Sequence, residues 1–438
     1  MRLVGLSLLI SLALSWIAQA AIIRVPSDYP TIQGAVDAAA PGDTVEVACG
    51  TYVENIEIRH GVTLRSESGL PDCVTLEGGA PGSSVLCPVI DGFEIEGITL
   101  RGGLSDGGIF AYDSVIALRQ CVFIDFALSA VEAYRTTATI GECMFSNCRR
   151  SAVRLESGAH HRIEECHFFD NFSPTSSGAL EMSDANEFLV RACEFRSNVA
   201  GLWGGAGRIQ GDGRIDGCRF IDNEAGERGG GLQLGSPSPC SEAPCLWIEV
   251  VETLFEGNRA HFGGAIFIHT VRGTITSSTF AGNTAAGAGG AVTCYQSAAE
   301  FERSTFFGNA APIGSAFVSQ NQHLVRFENS ILAFNAEGAA VARFSPPVPP
   351  PTFICTDIYG NGGGDWVDWI EGLDTANGNF SADPLFCDAN LASFTIHSDS
   401  PCAPPGIDGC GLVGAWPVGC GSIPVERATW AQIKSKYR

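Results

Sequence analysis

The sequence predicts an all-β protein, a single right-handed parallel β-helix, from a repeat and a column of buried residues. The repeat has the form F-x-x-N, a short variable loop and G-[GAS]-[AGS]-apolar, and is clearest from Phe255 to His269. Its asparagines are 27, 25, 35, 25, 26 and 26 residues apart. A period of this length, with short β-like runs and many glycines, fits one coil of a solenoid rather than a hairpin or a helical repeat. The asparagines are Asn171, Asn198, Asn223, Asn258, Asn283, Asn309 and Asn335.

A second column of residues lies two positions before each phenylalanine of the repeat. Because side chains alternate along a strand, this residue and the phenylalanine point to the same face, which we expect to be the interior. Cysteines in the column then behave as small hydrophobic residues that stay reduced. The column consists of Cys121, Cys143, Cys166, Cys193, Cys218, Thr253, Ser278, Ser304 and Ser330.

The asparagine of F-x-x-N is interpreted as a structural residue rather than a catalytic one. Asparagine suits a bend, where its side chain can bond turn backbone. Stacked coils bring each side-chain amide next to that of the following coil, so a hydrogen-bonded ladder is expected.

The chain is expected to begin with a secretory signal peptide over residues 1–20, cleaved before Ala21. No other segment is long and apolar enough to span a membrane. Residues 21–60 are expected to form the N-terminal cap and entry coil, since they read as strand, helix, turn and strand. The apolar residues Ile32, Ala35, Val36 and Ala39 share one helical face, which would cover the open first coil.

The rest of the chain divides into three predicted parts. Residues 61–343 are the β-helix repeats, residues 344–421 hold an irregular insertion with closing coils and a cysteine-rich C-terminal cap, and residues 422–438 are a tail. Cys240 and Cys245 are expected to form a local bridge inside an insertion. A bridged cap is expected among four further cysteines, which allow three pairings. These are Cys387, Cys402, Cys410 and Cys420.

Composition restricts the partners. The 26 basic and 48 acidic residues give a net charge of -22, which opposes binding to nucleic acid or to an anionic membrane. The sequence predicts no cofactor or metal centre, although an acidic surface is suited to recruit Ca²⁺. We expect a polysaccharide or a cell-surface protein as partner, in the extracellular space or on the outer cell surface.

Specific segments resemble known families. The segment from Ile22 to Glu57 looks like the entry to pectin-lyase-like right-handed β-helix proteins, which include pectinesterases and pectate lyases. The F-x-x-N and G-G-A-[ILV] pairs resemble the repeats of bacterial polymorphic outer membrane proteins. DPLFCD from Asp383 and SPC from Ser400 look like the closing coils of secreted bacterial β-helix proteins. The resemblance covers Ile22 to Cys420 and implies the fold, whereas its members include esterases, lyases, glycosidases and catalytically silent adhesins.

The outward positions of the strands after G-G-A are the predicted functional face. Alternation places a column of charged and aromatic residues there, with a second column two residues later. The aromatic residues are suited to stack on sugar rings, although strands favour tyrosine and phenylalanine in any case. The predicted ligand-binding residues are Tyr112, Tyr134, Arg154, Phe267, His269, Tyr295 and Phe317.

Glu156, Glu181 and Arg208 are the candidate catalytic residues. With strands about 4.8 Å apart, Glu156 and Glu181 are expected to lie roughly 8 Å from each other, which suits an inverting pair of carboxylates. Arg154 or Arg208 would then orient an acidic sugar. The simpler interpretation is a ladder of ion pairs through Glu132, Arg154, Glu181 and Arg208.

Two hypotheses follow from these residues. The first is a non-catalytic secreted or surface protein that binds glycans or proteins, as an adhesin or a stalk. The second is a polysaccharide lyase or glycoside hydrolase acting across the Glu156, Glu181 and Arg208 face. The motifs Q-D-T-L and D-F-I-F-G of pectinesterases do not occur, and the Ca²⁺-binding aspartates of pectate lyases have no clear counterpart. The first hypothesis is therefore favoured.

Overall fold

The computed structural model describes residues 20–79, 82–90, 92–103, 107–235, 246–320, 324–344, 349–389 and 393–421. The predicted signal peptide, the Cys240–Cys245 bridge and the tail 422–438 lie outside these residues, apart from Ala20. Within the described residues, no helix is long and apolar enough to cross a membrane.

The chain forms a parallel β-helix, which confirms the predicted fold. Each phenylalanine of the repeat lies in one strand of a 13-stranded parallel sheet, called here the Phe row. From residue 95 to residue 335 the row has ten strands, as the repeat predicts. Its strands are Gly50–Val53, Val74–Glu77, Thr99–Arg101, Val122–Ile124, Met144–Ser146, His167–Phe169, Glu194–Arg196, Arg219–Ile221, Leu254–Glu256, Thr279–Ala281, Thr305–Phe307, Ile331–Ala333 and Asp357–Tyr359.

Two further rows of strands follow the Phe row along the chain. A short row of seven strands follows the asparagine bend: Phe172–Ser173, Val199–Ala200, Glu224–Ala225, Arg259–Phe262, Thr284–Ala288, Ala310–Ala311 and Ala336–Glu337. The Gly row follows the G-G-A motif. It contains Ile56–Glu57, Ser83–Pro88, Gly107–Tyr112, Val131–Tyr134, Val153–Glu156, Leu180–Arg191, Gly207–Asp216, Leu232–Gly235, Ile266–His269, Val292–Tyr295, Phe317–Gln320 and Val341–Arg343.

The Ile row precedes the Phe row and closes the coil. Strands Leu180–Arg191 and Gly207–Asp216 run through the bend between the Gly and Ile rows, so the two rows join into one 24-stranded sheet. The other strands of the Ile row are Ile22–Val25, Thr44–Val47, Thr63–Ser66, Phe93–Glu96, Val115–Arg119, Thr137–Gly141, His161–Glu164, Trp247–Val251, Arg272–Thr276, Ala298–Glu302, Val325–Glu328 and Thr352–Ile354.

Like residues stack on like in the interior. Ring centroids of successive phenylalanines from Phe123 to Phe306 are 4.6 to 5.0 Å apart, with interplanar angles of 3 to 9°. The five cysteines of the column, Cys121, Cys143, Cys166, Cys193 and Cys218, are buried and unbridged, as predicted. Burial raises the pKa of the Cys143 and Cys193 thiols well above its usual range, so these groups act as packing residues rather than as nucleophiles.

The asparagine ladder is confirmed and has two bonds per step. Each Nδ2 donates to the Oδ1 of the next asparagine at 2.8 to 3.0 Å, from Asn171 to Asn361. The same Oδ1 also accepts the backbone N–H of the preceding asparagine, for example Asn258 N to Asn283 Oδ1 at 3.0 Å. Asn361 extends the ladder into the segment predicted to be irregular, because Ile358 and Asn361 preserve the spacing of the repeat.

The N-terminal helix Ile32–Ala38 lies over the first coils, as predicted. Its buried residues are Ile32, Ala35 and Val36. The Thr31 side chain accepts the Gly34 N–H, and the Glu54 carboxylate accepts the N–H groups of Ile32 and Gln33 at 3.0 and 3.1 Å. The free amides of the helix start are thereby satisfied, and the first coil is capped by an apolar surface.

The disulfides differ in part from the prediction. Cys387 pairs with Cys420, whereas Cys410 pairs with Cys355, and Cys402 is free and buried. A third bridge joins Cys49 to Cys73 in adjacent coils. The cap has one antiparallel pair of strands, Phe386–Asp388 and Ser393–His397, joined by Val418–Cys420. Asp368–Ile370 and Ile407–Gly409 form 3-10 helices in the C-terminal region.

Candidate functional site

The predicted ion-pair ladder lies on the outer face of the Gly row. Strand register aligns Glu132 with Arg154, Arg154 with Glu181, and Glu181 with Arg208. The shortest distances between charged atoms along this line are 3.2, 3.9 and 3.4 Å. All four side chains are less than a quarter exposed, so water screens these pairs less than it would on an open surface.

Arg154 occupies the space between the two candidate catalytic carboxylates. Its Nη2 lies 3.1 Å from Glu156 Oε2, and its Nε lies 3.9 Å from Glu181 Oε2. Glu181 Oε1 has Ser176 Oγ at 3.1 Å and Arg208 Nη1 at 3.4 Å, and Oε2 accepts Ser151 Oγ at 3.2 Å. Both oxygens of Glu181 are therefore occupied, and a glycosidic oxygen would have to displace a guanidinium group to approach the pair.

Tyr112 and Tyr134 are aligned on the outer face of neighbouring strands. The Tyr134 hydroxyl donates to Glu132 Oε1 at 2.5 Å. Burial and this bond raise the pKa of Tyr134 to about 12. The Arg135 guanidinium carbon lies 4.3 Å from the ring centroid of Tyr112, and that of Arg154 lies 5.8 Å from the ring centroid of Tyr134. The arginines hold these rings in place as a short aromatic surface.

Phe317 does not lie on the outer face, so its predicted position is wrong. The register pairs Phe317 with Val292, an inward residue, and Val318 with Thr293. The motif Gly314-Ser315-Ala316 occupies the place of G-G-A, which makes Phe317 the following apolar residue. Its ring is fully buried and packs edge-on against Phe301 and Phe327.

Phe267 and His269 point outward in the register but are buried, with 4% and 6% of their surface exposed. The Arg228 guanidinium lies over the Phe267 ring at 5.1 Å from the centroid, and the His269 ring packs edge-on against Tyr295 at 4.9 Å. Burial, followed by the charge of Arg228, lowers the pKa of His269 to about 4. Neither ring is open to a sugar, whereas Tyr295 is half-buried.

A groove of about 730 Å³ lies at the bend between the Gly and Ile rows, and sequence reasoning missed it. Trp247, 48% exposed, borders it, and the Trp247 backbone N–H donates to Asp212 Oδ1 at 2.6 Å. A changed bend length and a tryptophan on a strand were the available signals. The groove is lined by His160, His161, Arg162, Asn186, Glu187, Phe188, Leu189, Asp212, Gly213, Arg214, Trp247 and Glu249.

A metal centre finds little support among the described residues. Within the part of the chain that the structure describes, Cys49, Glu67 and Cys73 are the one group of three ligand-type side chains that lie close enough together for an ion. Their two thiols are joined in a disulfide, and a disulfide cannot supply the thiolates that a metal would bind. Binding of Ca²⁺ stays a prediction.

Comparison with known proteins gives one family match over part of the chain and several solved structures of low similarity. The family described as "Right handed beta helix region" matches residues 84–240. Pectate lyase Pel9A is 11% identical with a TM-score of 0.41, over 92% of this chain and 98% of the other. A pectin methylesterase from Aspergillus niger is 13% identical with a TM-score of 0.28, over 84% and 90%. The PL6-family alginate lyase AlyGC is 14% identical with a TM-score of 0.38, over 94% and 58%.

No curated protein sequence matches the chain. The family match covers less than half of the chain, and the fold assignment rests chiefly on the strand registers. By these registers and the family that matches residues 84–240, the chain is a right-handed parallel β-helix protein.

Proposed function

We propose that this protein is a secreted or surface-exposed β-helix that binds glycans without cleaving them. The observation that carries the proposal is the position of Arg154 between Glu156 and Glu181. An inverting glycosidase needs room for a water molecule between its carboxylates and one protonated member. Here a cation takes that place, so the residues form a rigid charged surface instead of a reactive pair.

The binding function is supported by the rings beside this network. Tyr112 is 37% exposed, and its ring and that of Tyr134 are aligned by the strand register and held by arginines. Fixed aromatic rings lose little conformational entropy when a ligand stacks on them. Three disulfides among the described residues are consistent with export, because disulfides persist in oxidising compartments.

The test is a double variant, Tyr112→Ser with Tyr134→Ser, measured on a glycan array and by thermal unfolding. We expect the glycans that stack on these two rings to be lost from the array profile while the melting temperature changes little. Tyr29→Ser is the matched control, because Tyr29 is exposed to the same degree, 38%, but lies in the N-terminal cap. Unchanged binding by the double variant would contradict the proposed site.

Polysaccharide cleavage is tested in the same series. The wild type should release no reducing ends or unsaturated products from acidic or neutral polysaccharides. General acid/base catalysis supplies about 10² to 10⁴ in rate. Turnover by the wild type that falls by this factor in Glu181→Gln would overturn the proposal and favour an enzyme.

A further inference from the structure

The groove at Trp247 arises from a change in bend length between coils. Glu181 and Val190 are nine positions apart in the sequence, whereas their partners Arg208 and Ile215 in the next coil are seven positions apart. The pairing of the two strands shifts on both sides of Ala185, where the longer bend passes the shorter one. Gly213 is required there, since a Cβ on it would lie 2.3 Å from the Phe188 carbonyl oxygen.

An exposed indole forms one side of this recess. Trp247 begins the next strand of the Ile row, and the Arg272 guanidinium lies 5.5 Å from its ring centroid. The backbone bond to Asp212 fixes the start of the strand. The indole is therefore an accessible apolar ring, fixed in position beside a polar recess. A ring in this position can stack on the face of a pyranose.

A buried histidine without a partner lines the same recess. His161 is 1% exposed, and neither of its ring nitrogens has a hydrogen-bond partner. Burial lowers the pKa of His161 to about 4, so the ring is neutral at pH 7 and carries one donor and one acceptor. The His161 side chain lies on the inward side of its strand, as Ile163 does, and its ring packs against Gly158, so it supports the recess from beneath.

The charged residues of the recess already have partners. Arg162 pairs with Glu164 at 3.0 Å, Arg214 with Glu249 at 3.2 Å, and His160 with Glu187 at 2.8 Å. An acidic sugar would therefore find no unpaired arginine, in a chain whose net charge is -22. Hydroxyl groups, in contrast, can bond to the paired carboxylates and to Asn186 without displacing an ion.

We propose that this groove is a binding site for a neutral oligosaccharide, with one pyranose stacked on Trp247 and its hydroxyl groups bonded to the exposed side chains of Glu187 and Asn186. The groove is lined by residues of four consecutive coils, and strands about 4.8 Å apart give it a length of roughly 14 Å. It thus accepts several sugar units. The inference rests on the proposed glycan-binding function and assigns it a second site and a ligand class.

The experiment measures binding of neutral and uronic-acid oligosaccharides to the full chain by titration calorimetry. Trp247→Ala should raise the Kd for the neutral ligands about tenfold, as expected for loss of a stacking ring. Glu187→Ala, in an exposed side chain that pairs only with exposed His160, should raise it less. Trp416→Ala is the matched control, because Trp416 is 41% exposed but contacts Thr279 on another face.

Each outcome is decisive. If Trp247→Ala and Glu187→Ala leave the Kd unchanged while the Tyr112 and Tyr134 double variant loses binding, the groove proposal fails and the proposed function stands. If the wild type binds no glycan, both fail. Tighter binding of uronic-acid oligosaccharides than of neutral ones at the groove would overturn the ligand class.

Discussion

The asparagine bend and the bend between the Gly and Ile rows differ in how strictly their geometry repeats. At the asparagine bend, every step from Asn171 to Asn361 has the same bonds at nearly the same distances. At the other bend, Glu181 and Val190 are nine positions apart, Arg208 and Ile215 seven, and Gln233 and Val250 17. An insertion at the asparagine bend would break the hydrogen bonds between successive asparagines. The other bend has no such ladder, and its length varies. The groove at Trp247 lies at this second bend.

The largest expected effect tests whether the coils beside the asparagine bend are stabilised mainly by the buried phenylalanine stack. Phe280→Ala should destabilise the protein by about 3 to 5 kcal/mol, because it loses the transfer free energy of a buried ring and leaves a cavity. Phe280 is fully buried and stacked on both sides. Chemical denaturation measures the change. Phe172→Ala is the control, since Phe172 is 39% exposed, and a loss as large as that at Phe280 would contradict this account.

The next effect concerns the last strand of the Phe row, where Asp357 is buried against the C-terminal cap. Its carboxylate accepts the Ala382 N–H at 3.0 Å, and Cys402 Sγ lies 3.5 Å away. Burial raises the pKa of Asp357 to about 7 from the ordinary 3.8. The folded state thus binds more protons between about pH 4 and pH 7, and stability falls as pH rises through this window.

Asp357→Asn should remove this pH dependence. The variant should be more stable than the wild type at pH 8, by at most about 4 kcal/mol, and should show little difference near pH 4. Thermal unfolding across this range measures it. Asp170→Asn, at an exposed position, is the control, and an equal gain at pH 4 and pH 8 in Asp357→Asn would show that proton binding is not the cause.

A smaller effect is expected from the ladder itself. Asn283→Ala removes the acceptor of the Asn258 amide and the donor to the Phe255 carbonyl, so it should cost about 1 to 3 kcal/mol. Denaturation midpoints give the value, with Asn186→Ala, at an exposed position, as the control. If the cost exceeded that of Phe280→Ala, the ladder would contribute more to the free energy of unfolding than the phenylalanine stack does.

The smallest effect belongs to the outer surface. Glu181→Gln should cost about 1 kcal/mol, because it weakens two cross-strand pairs worth about 0.2 to 1 kcal/mol each, and glycan binding should persist. The exposed pair of Arg326 and Glu328 supplies the control, Glu328→Gln, with a cost near zero. A gain in stability for Glu181→Gln would indicate a carboxylate strained for catalysis.

Sequence reasoning succeeded where one residue repeats at one spacing. The cysteine column, the phenylalanine stack and the alignment of Glu132 to Arg208 all follow from side-chain alternation along strands, which is local. It failed at Phe317, where Gly314-Ser315-Ala316 fits the motif and makes Phe317 the inward apolar residue, whereas the prediction aligned Phe317 with the outward position one residue later. A slip of one residue exchanges the inner and outer faces.

The sequence by itself determined the parallel coils, the buried columns and the helical cap at Ile32–Ala38, because these depend on period and on local hydrogen bonding. Only the tertiary structure decided the bridge between Cys355 and Cys410, the burial of Phe267 and His269, and the groove at Trp247. Each of these depends on how far one coil or loop projects over another. That projection is set by packing between residues distant in the chain, and no periodic pattern encodes it.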